Sequence, residues 1–147
     1  MFGSPVTIEE VYAWGNGFNR WGFSDFNGDG NGFKLGFIDN GNPGSLTFER
    51  NTAWNNGDNG FNLRSSTSTL KNNIAAGNTN AQVSLVSGTS SSGNSSDSST
   101  TRSNSSFLSV GSSTLAGARG SDGKIKESNF LVPASSAAIR AITQAEV

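Results

Sequence analysis

A lysine framed by glycines, in Gly32-Phe33-Lys34-Leu35-Gly36, is the residue of this chain best suited to acid–base chemistry. The sequence contains neither cysteine nor histidine, which removes disulfides, thiolate nucleophiles, histidine triads and most zinc sites. Carboxylates, lysine and arginine are left as the strong acid–base groups. Lysine acts as a general base when desolvation or nearby cations keep part of it neutral near the working pH. Arg50 and Arg64 are candidate binders of an anionic substrate, because guanidinium meets a carboxylate through paired hydrogen bonds. Both equally suit surface positions at which the stem covers apolar edges. Asp25, Asn27 and Asp29 space alternate oxygens ahead of a glycine, as the first half of a calcium loop does. Gly36 stands where that loop needs its closing glutamate, so an Asn/Asp/Gly turn without an ion competes with the metal reading.

The elements that position these residues repeat. Val6-Thr7-Ile8-Glu9-Glu10-Val11-Tyr12-Ala13-Trp14-Gly15-Asn16-Gly17 aligns without gaps against the stretch from Leu46 to Gly57, and Thr69 to Asn78 supplies a third copy. Each copy is followed by a short strand with apolar first and third positions: Phe33-Lys34-Leu35, Phe61-Asn62-Leu63 and Val83-Ser84-Leu85. Steps of this size are those of stacked coils, which bury an apolar face only against their neighbours. Alternation predicts Ile8, Phe48 and Leu70 pointing inward and Thr7, Thr47 and Thr69 outward. Asn16, Asn56 and Asn78 fall at equivalent turns, where asparagine tolerates left-handed backbone and stacks its amide on the next copy. The fold class expected is all-β, a parallel β-solenoid, with Lys34 projecting from its outer face.

Composition fits a thin, continuous core. The chain has 147 residues, 33% hydrophobic and only 14% charged, with a net charge of -1. That balance argues against nucleic acid or an anionic membrane as the main partner, and no apolar run is long enough to span a bilayer. Coils are expected over residues 1–86, a Ser/Thr/Gly-rich loop over 87–106 and an irregular tail over 107–147 that packs along or caps the solenoid. The tail's last segment, Ser135 to Ile142, has the makings of a short helix. Asn94-Ser95-Ser96 and Asn104-Ser105-Ser106 are glycosylation sequons. Met1-Phe2-Gly3-Ser4 carries no signal-peptide pattern and reads as an internal cut. The edge of the first coil, from Pro5 to Ile8, is expected to favour self-association.

The runs Gly28-Asp29-Gly30-Asn31-Gly32-Phe33-Lys34-Leu35-Gly36, Asn40 to Thr47 and Asn51-Thr52-Ala53-Trp54-Asn55-Asn56-Gly57 resemble family 9 polysaccharide lyases, which are right-handed parallel β-helix pectate lyases. The tail is similar too, through Phe107-Leu108-Ser109-Val110, Asp122-Gly123 and Phe130-Leu131-Val132-Pro133. The resemblance implies that Lys34 is the Brønsted base that removes the C5 proton of a galacturonate residue. It also implies calcium as cofactor, polygalacturonate as partner and secretion from the cell. In the family the calcium-holding aspartates lie on the coil before Pro5, so the principal metal site is expected to be missing here. A further coil is expected to be missing between Gly36 and Phe37, which would leave Phe33 to Ile38 as one longer strand and draw Asn62 and Arg64 toward Lys34. Asn62, Arg64, Arg50 and Trp21 are the expected substrate contacts, Trp21 with Phe23 on a sugar-contacting loop before Asp25. Trp14 and Trp54 fit wall or core positions better than sugar stacking. The alternatives are an acidic-polysaccharide-binding or structural β-helix without catalysis and, last, an adhesive solenoid built on the threonine rank.

Overall fold

The computed structural model describes residues 5–35, 45–96 and 104–134. Ten short strands wind through it: β1 (Val6–Glu9), β2 (Tyr12–Trp14), β3 (Phe33–Leu35), β4 (Leu46–Glu49), β5 (Thr52–Trp54), β6 (Phe61–Leu63), β7 (Thr69–Lys71), β8 (Ile74–Ala76), β9 (Val83–Leu85) and β10 (Ser90–Ser92). They form three parallel sheets, β1-β4-β7-β10, β2-β5-β8 and β3-β6-β9. Each turn of chain contributes one strand to each of the first three-strand sets, the pattern of a right-handed parallel β-helix.

The register is the one the internal alignment demands. Thr7, Thr47 and Thr69 stand in one column and Ile8, Phe48 and Leu70 in the next. Phe48, Leu70, Phe61 and Leu63 are fully buried, with Phe33, Ala53 and Ala75 completing the cluster between the sheets. Phe33 and Phe61 stack face to face at 4.8 Å, and Phe48 meets Phe61 edge-on at 6.3 Å. One residue per coil from each aromatic column thus fills the width of the tube.

The corners explain why short strands can turn twice per coil. Glu10, Arg50 and Asn72 adopt positive φ at the first corner, and Gly15, Asn55 and Gly77 at the second. The left-handed residue is therefore the one before Asn16, Asn56 and Asn78, not those asparagines themselves. What the asparagines do is stack. Asn16 Nδ2 donates to Asn56 Oδ1 (3.0 Å), Asn56 Nδ2 to Asn78 Oδ1 (2.8 Å), and Asn78 Nδ2 to Gln82 Oε1 (2.9 Å), which ends the column. A second column, not expected from the sequence, follows the first corner. Asn51 Nδ2 donates to Asn73 Oδ1 (3.1 Å) and Asn73 Nδ2 to Asn94 Oδ1 (2.9 Å), while Asn73 Nδ2 also reaches Phe48 O (2.9 Å). Successive members lie 22 and 21 residues apart.

The second column corrects two expectations. Asn94 is 5% exposed and its amide is spent inside the solenoid, so the folded sequon offers no free nitrogen there. Solenoid pairing also runs past residue 86: Ser90, Ser91 and Ser92 pair with Thr69, Leu70 and Lys71. Composition hid this strand because pairing needs only backbone, and serine at the last rung ends the apolar column Phe48-Leu70 with a hydroxyl. The tail packs along the side of the tube. Phe107, Leu115, Phe130 and Leu131 form one cluster with Trp54, Ile74 and Ala76 on the outer face of the second sheet, and Tyr12 and Trp14 lean on it half-buried. The second sheet is thus apolar on both faces, which accounts for the buried run Thr52-Ala53-Trp54. Strand β3 ends at Leu35; the expected extension to Ile38, the coil missing before Phe37 and the helix after Ser135 fall outside the described residues.

Removing a ladder amide strands several partners, each costing about 1–3 kcal/mol when left unsatisfied. Asn73→Ala is accordingly expected to lower stability by about 3 kcal/mol or more, read as a fall in the urea midpoint; a loss within about 0.5 kcal/mol, as for a plain surface change, would contradict the ladder's role. Burial against the tail raises the phenol pKa of Tyr12 above 10.0. The folded chain then holds the proton longer than the unfolded chain does, so this contribution is complete below pH 10 and is lost as pH rises through the folded value. Tyr12 is the only tyrosine, so absorbance titration should give a midpoint above 10, and Tyr12→Phe should flatten the alkaline loss of stability.

Candidate active site on the outer face of the third sheet

Strand β3 presents Phe33 and Leu35 to the core and Lys34 to solvent. Parallel pairing sets Lys34 against Asn62, and Asn62 against Ser84, so these three form one outward column. The same alternation turns Arg64 outward beyond Leu63, and its backbone N–H donates to Leu35 O at 3.0 Å. Strand spacing of about 4.8 Å and a rise of about 3.3 Å per residue put the Cα atoms of Lys34 and Arg64 roughly 8 Å apart. Two cationic side chains therefore share this face on adjacent coils.

The chain between Gly17 and Gly30 leaves the tube and returns to the same place. A methyl group on Gly17 would fall 2.2 Å from the Gly30 Cα, and both residues have positive φ, so the excursion is pinched at its base. Gly57 N–H donates to Asn16 O (2.8 Å) and Asp58 N–H to Gly30 O (3.0 Å), which fastens the pinch to the next coil. Within the excursion Asn19 bonds Phe23 in both directions. Trp21 is 79% exposed and Phe23 is exposed too, and their rings lie 6.4 Å apart and tilted, so the pair presents aromatic surface to solvent.

Asp29, at the exit of the excursion, forms an ion pair with Lys34 Nζ. Asn31 Nδ2 donates to Asp29 Oδ1 (2.8 Å), to Asp29 O (3.0 Å) and to Asp58 Oδ2 (3.0 Å). Asn31 Oδ1 accepts from Asn59 (3.0 Å), and Asp58 Oδ1 accepts from Asn80 Nδ2 (3.1 Å). Asn31, Asp58 and Asn80 were not foreseen as part of the site. The signal available was the match of Gly30-Asn31-Gly32-Phe33 to Asp58-Asn59-Gly60-Phe61, which stacks the two asparagines.

Lys34, Asn62 and Arg64 are thus brought together as expected. Arg50 is not. It sits at the first corner, where it pairs with Glu9 (2.9 Å), Glu10 (3.2 Å) and Glu49 (2.8 Å), and its hydrogen bond to Glu10 is the main cause that raises its pKa. Trp14 and Trp54 are unavailable to sugars because the tail covers their column; Phe130 meets Trp54 edge-on at 5.9 Å.

The oxygens do not fit calcium. Hard cations of this size take six to eight oxygens, whereas among the described residues no three acidic, histidine or cysteine side chains are arranged to hold a metal ion. The Asp29 carboxylate, the best placed of Asp25, Asn27 and Asp29, is held by Lys34 and Asn31 instead.

Comparison with known proteins bears on the fold and the family. No family model matches the chain. The chain is 43% identical over 168 residues to a pectate lyase named PEL9 from Emericella nidulans, covering 97% of this chain and 41% of that protein. It is 34% identical to pectate lyase L of Dickeya dadantii, covering 98% of this chain and 40% of that protein. The crystal structure of pectate lyase Pel9A superposes with a TM-score of 0.69 at 29% identity, covering 90% of this chain and 38% of that one. The chain therefore spans about two fifths of the length of these relatives. Its sequence likeness to these proteins and its fold place it in the family 9 pectate lyase-like right-handed parallel β-helix proteins.

Proposed function

We propose that this chain carries the base-bearing part of a site for β-elimination of polygalacturonate, with Lys34 as the Brønsted base. The observation that carries the reading is the outward column Lys34-Asn62 with Arg64 beside it, on a face that the described tail residues leave open. As the neutral amine, Lys34 takes the C5 proton of a galacturonate residue. The C5–H electron pair becomes the C4–C5 double bond, the C4–O bond of the glycosidic link breaks, and the leaving oxygen takes a proton from water. Arg64 draws the uronate carboxylate toward the C-terminal side of Lys34. Asn62 offers an amide to the sugar hydroxyls, and Trp21 and Phe23 offer ring faces to the pyranose.

Calcium is implied by the resemblance, and the described carboxylates do not supply its site; comparing cleavage with and without chelator tests that dependence separately from Lys34. Secretion and action on extracellular pectin follow the same resemblance. Binding of acidic polysaccharide without cleavage is the second reading, favoured by the ion pair that already engages the Lys34 amine.

Cleavage is read as absorbance of the unsaturated product. Lys34→Ala should lower it about 10³-fold, within the range lost with a general base, while polygalacturonate still binds. No product from the unsubstituted chain at any calcium level or alkaline pH would sink the enzymatic reading, and retained binding would then favour the second. Arg64→Ala should weaken affinity about tenfold, since one charge-assisted contact is worth about 1.5–3 kcal/mol, whereas Arg50→Ala should leave affinity unchanged. Strands β1, β2 and β3 are the end strands of the three sheets among the described residues, and we propose pairing of two copies there. Light scattering at high concentration should detect it; a strict monomer would count against it.

A further inference from the structure

Lys34 ends a long, flexible stem on an open face, and nothing in its own strand fixes where its amine points. A base contributes to proton transfer only when its nitrogen is held within reach of the proton. The structure offers one group that does this. We infer that Asp29 is a positioning residue for Lys34, held in turn by Asn31, so that the amine is kept over the third sheet before the sugar arrives. This rests on the elimination reading given above.

Three observations support the inference. Asp29 accepts the Lys34 ammonium while its other oxygen and its backbone carbonyl both accept from Asn31 Nδ2, at 2.8 and 3.0 Å. Asn31 is itself tied to the coil beneath through Asp58 Oδ2 at 3.0 Å and Asn59 Nδ2 at 3.0 Å, and Asp58 is tied to the third coil through Asn80 at 3.1 Å. The hold on Lys34 thus reaches through three stacked coils. Finally, the pinch at Gly17 and Gly30 fixes the point at which the excursion re-enters the tube, one residue after Asp29. The inserted residues 18–29 therefore end on the carboxylate that meets the lysine, so one segment brings both the aromatic pair and the positioning group to the same face.

The test is acylation of lysines by a soluble amine-reactive ester, followed by peptide mass spectrometry, on the intact chain and on Asp29→Asn and Asp29→Glu. An ammonium held by a carboxylate is slow to acylate, so Asp29→Asn should speed labelling of Lys34 by about 2- to 5-fold, the range that an exposed ion pair supports. Asp29→Glu should restore much of the protection. Labelling of Lys71, which pairs with Glu49, should not change in either variant. In the cleavage assay Asp29→Asn should lower kcat with little change in KM, because the carboxylate orients the base and does not hold the sugar. Unchanged labelling at Lys34 in Asp29→Asn, or an unchanged kcat in a chain that cleaves, would overturn the inference. Faster labelling in Asp29→Asn together with no cleavage by the unsubstituted chain would sink the elimination reading and still support the hold on Lys34.

Discussion

Everything in this molecule depends on coils stacking in parallel register. A coil of this size has too little apolar surface to fold alone, and its polar corners would leave backbone groups unmet if they were buried without partners. Two asparagine columns meet that constraint by accepting backbone N–H groups and donating to backbone carbonyls of the adjoining coil, as Asn73 does for Asn51 N and Phe48 O. Each amide satisfies its own corner and fixes the rotation of the next. A slip of one residue would turn Phe48 and Leu70 outward and break both columns at once.

That register is also what makes the outer face chemically defined. Lys34 faces solvent because Phe33 and Leu35 are committed to the core, and it stands beside Asn62 because Phe33 stacks on Phe61. The aromatic stack and the outward lysine are consequences of the same pairing. The second sheet shows the opposite outcome, since Trp54 and Tyr12 project outward too but meet the tail residue Phe130. The tail thus closes one face of the tube, and the open chemistry is left to the face that carries lysine and arginine.

The repeat made the tube legible in advance. Gapless alignment of Val6 to Gly17 with Leu46 to Gly57 gave the strand pairs and the inward column, because register in a solenoid is a direct copy of sequence alignment. The column Asn51-Asn73-Asn94 was missed because its first-coil position is Val11 and its last lies in a serine-rich tract that reads as loop. Strand Ser90–Ser92 was missed for the same reason: its pairing is carried by backbone, and no side-chain alternation marks it. For the site, the outward turn of Lys34 followed from alternation, whereas Arg50, taken as a carboxylate binder from its chemistry alone, meets three glutamates at a corner that its column position does not reveal. Asp29 looked like half of a calcium loop. Its partner is a lysine five residues on, a contact set by the pinched excursion and invisible to local spacing.

On the proposed reading, the outer face of the third sheet receives a uronate with its C5 at Lys34 and its carboxylate at Arg64. A crystal structure of Lys34→Ala soaked with a short galacturonate oligomer tests it most directly. The account predicts a sugar ring over β3 and β6, C5 facing position 34, and its carboxylate on the Arg64 guanidinium. An oligomer lodged on the threonine rank of the first sheet, or a ring over β3 with its carboxylate turned away from Arg64, would contradict it.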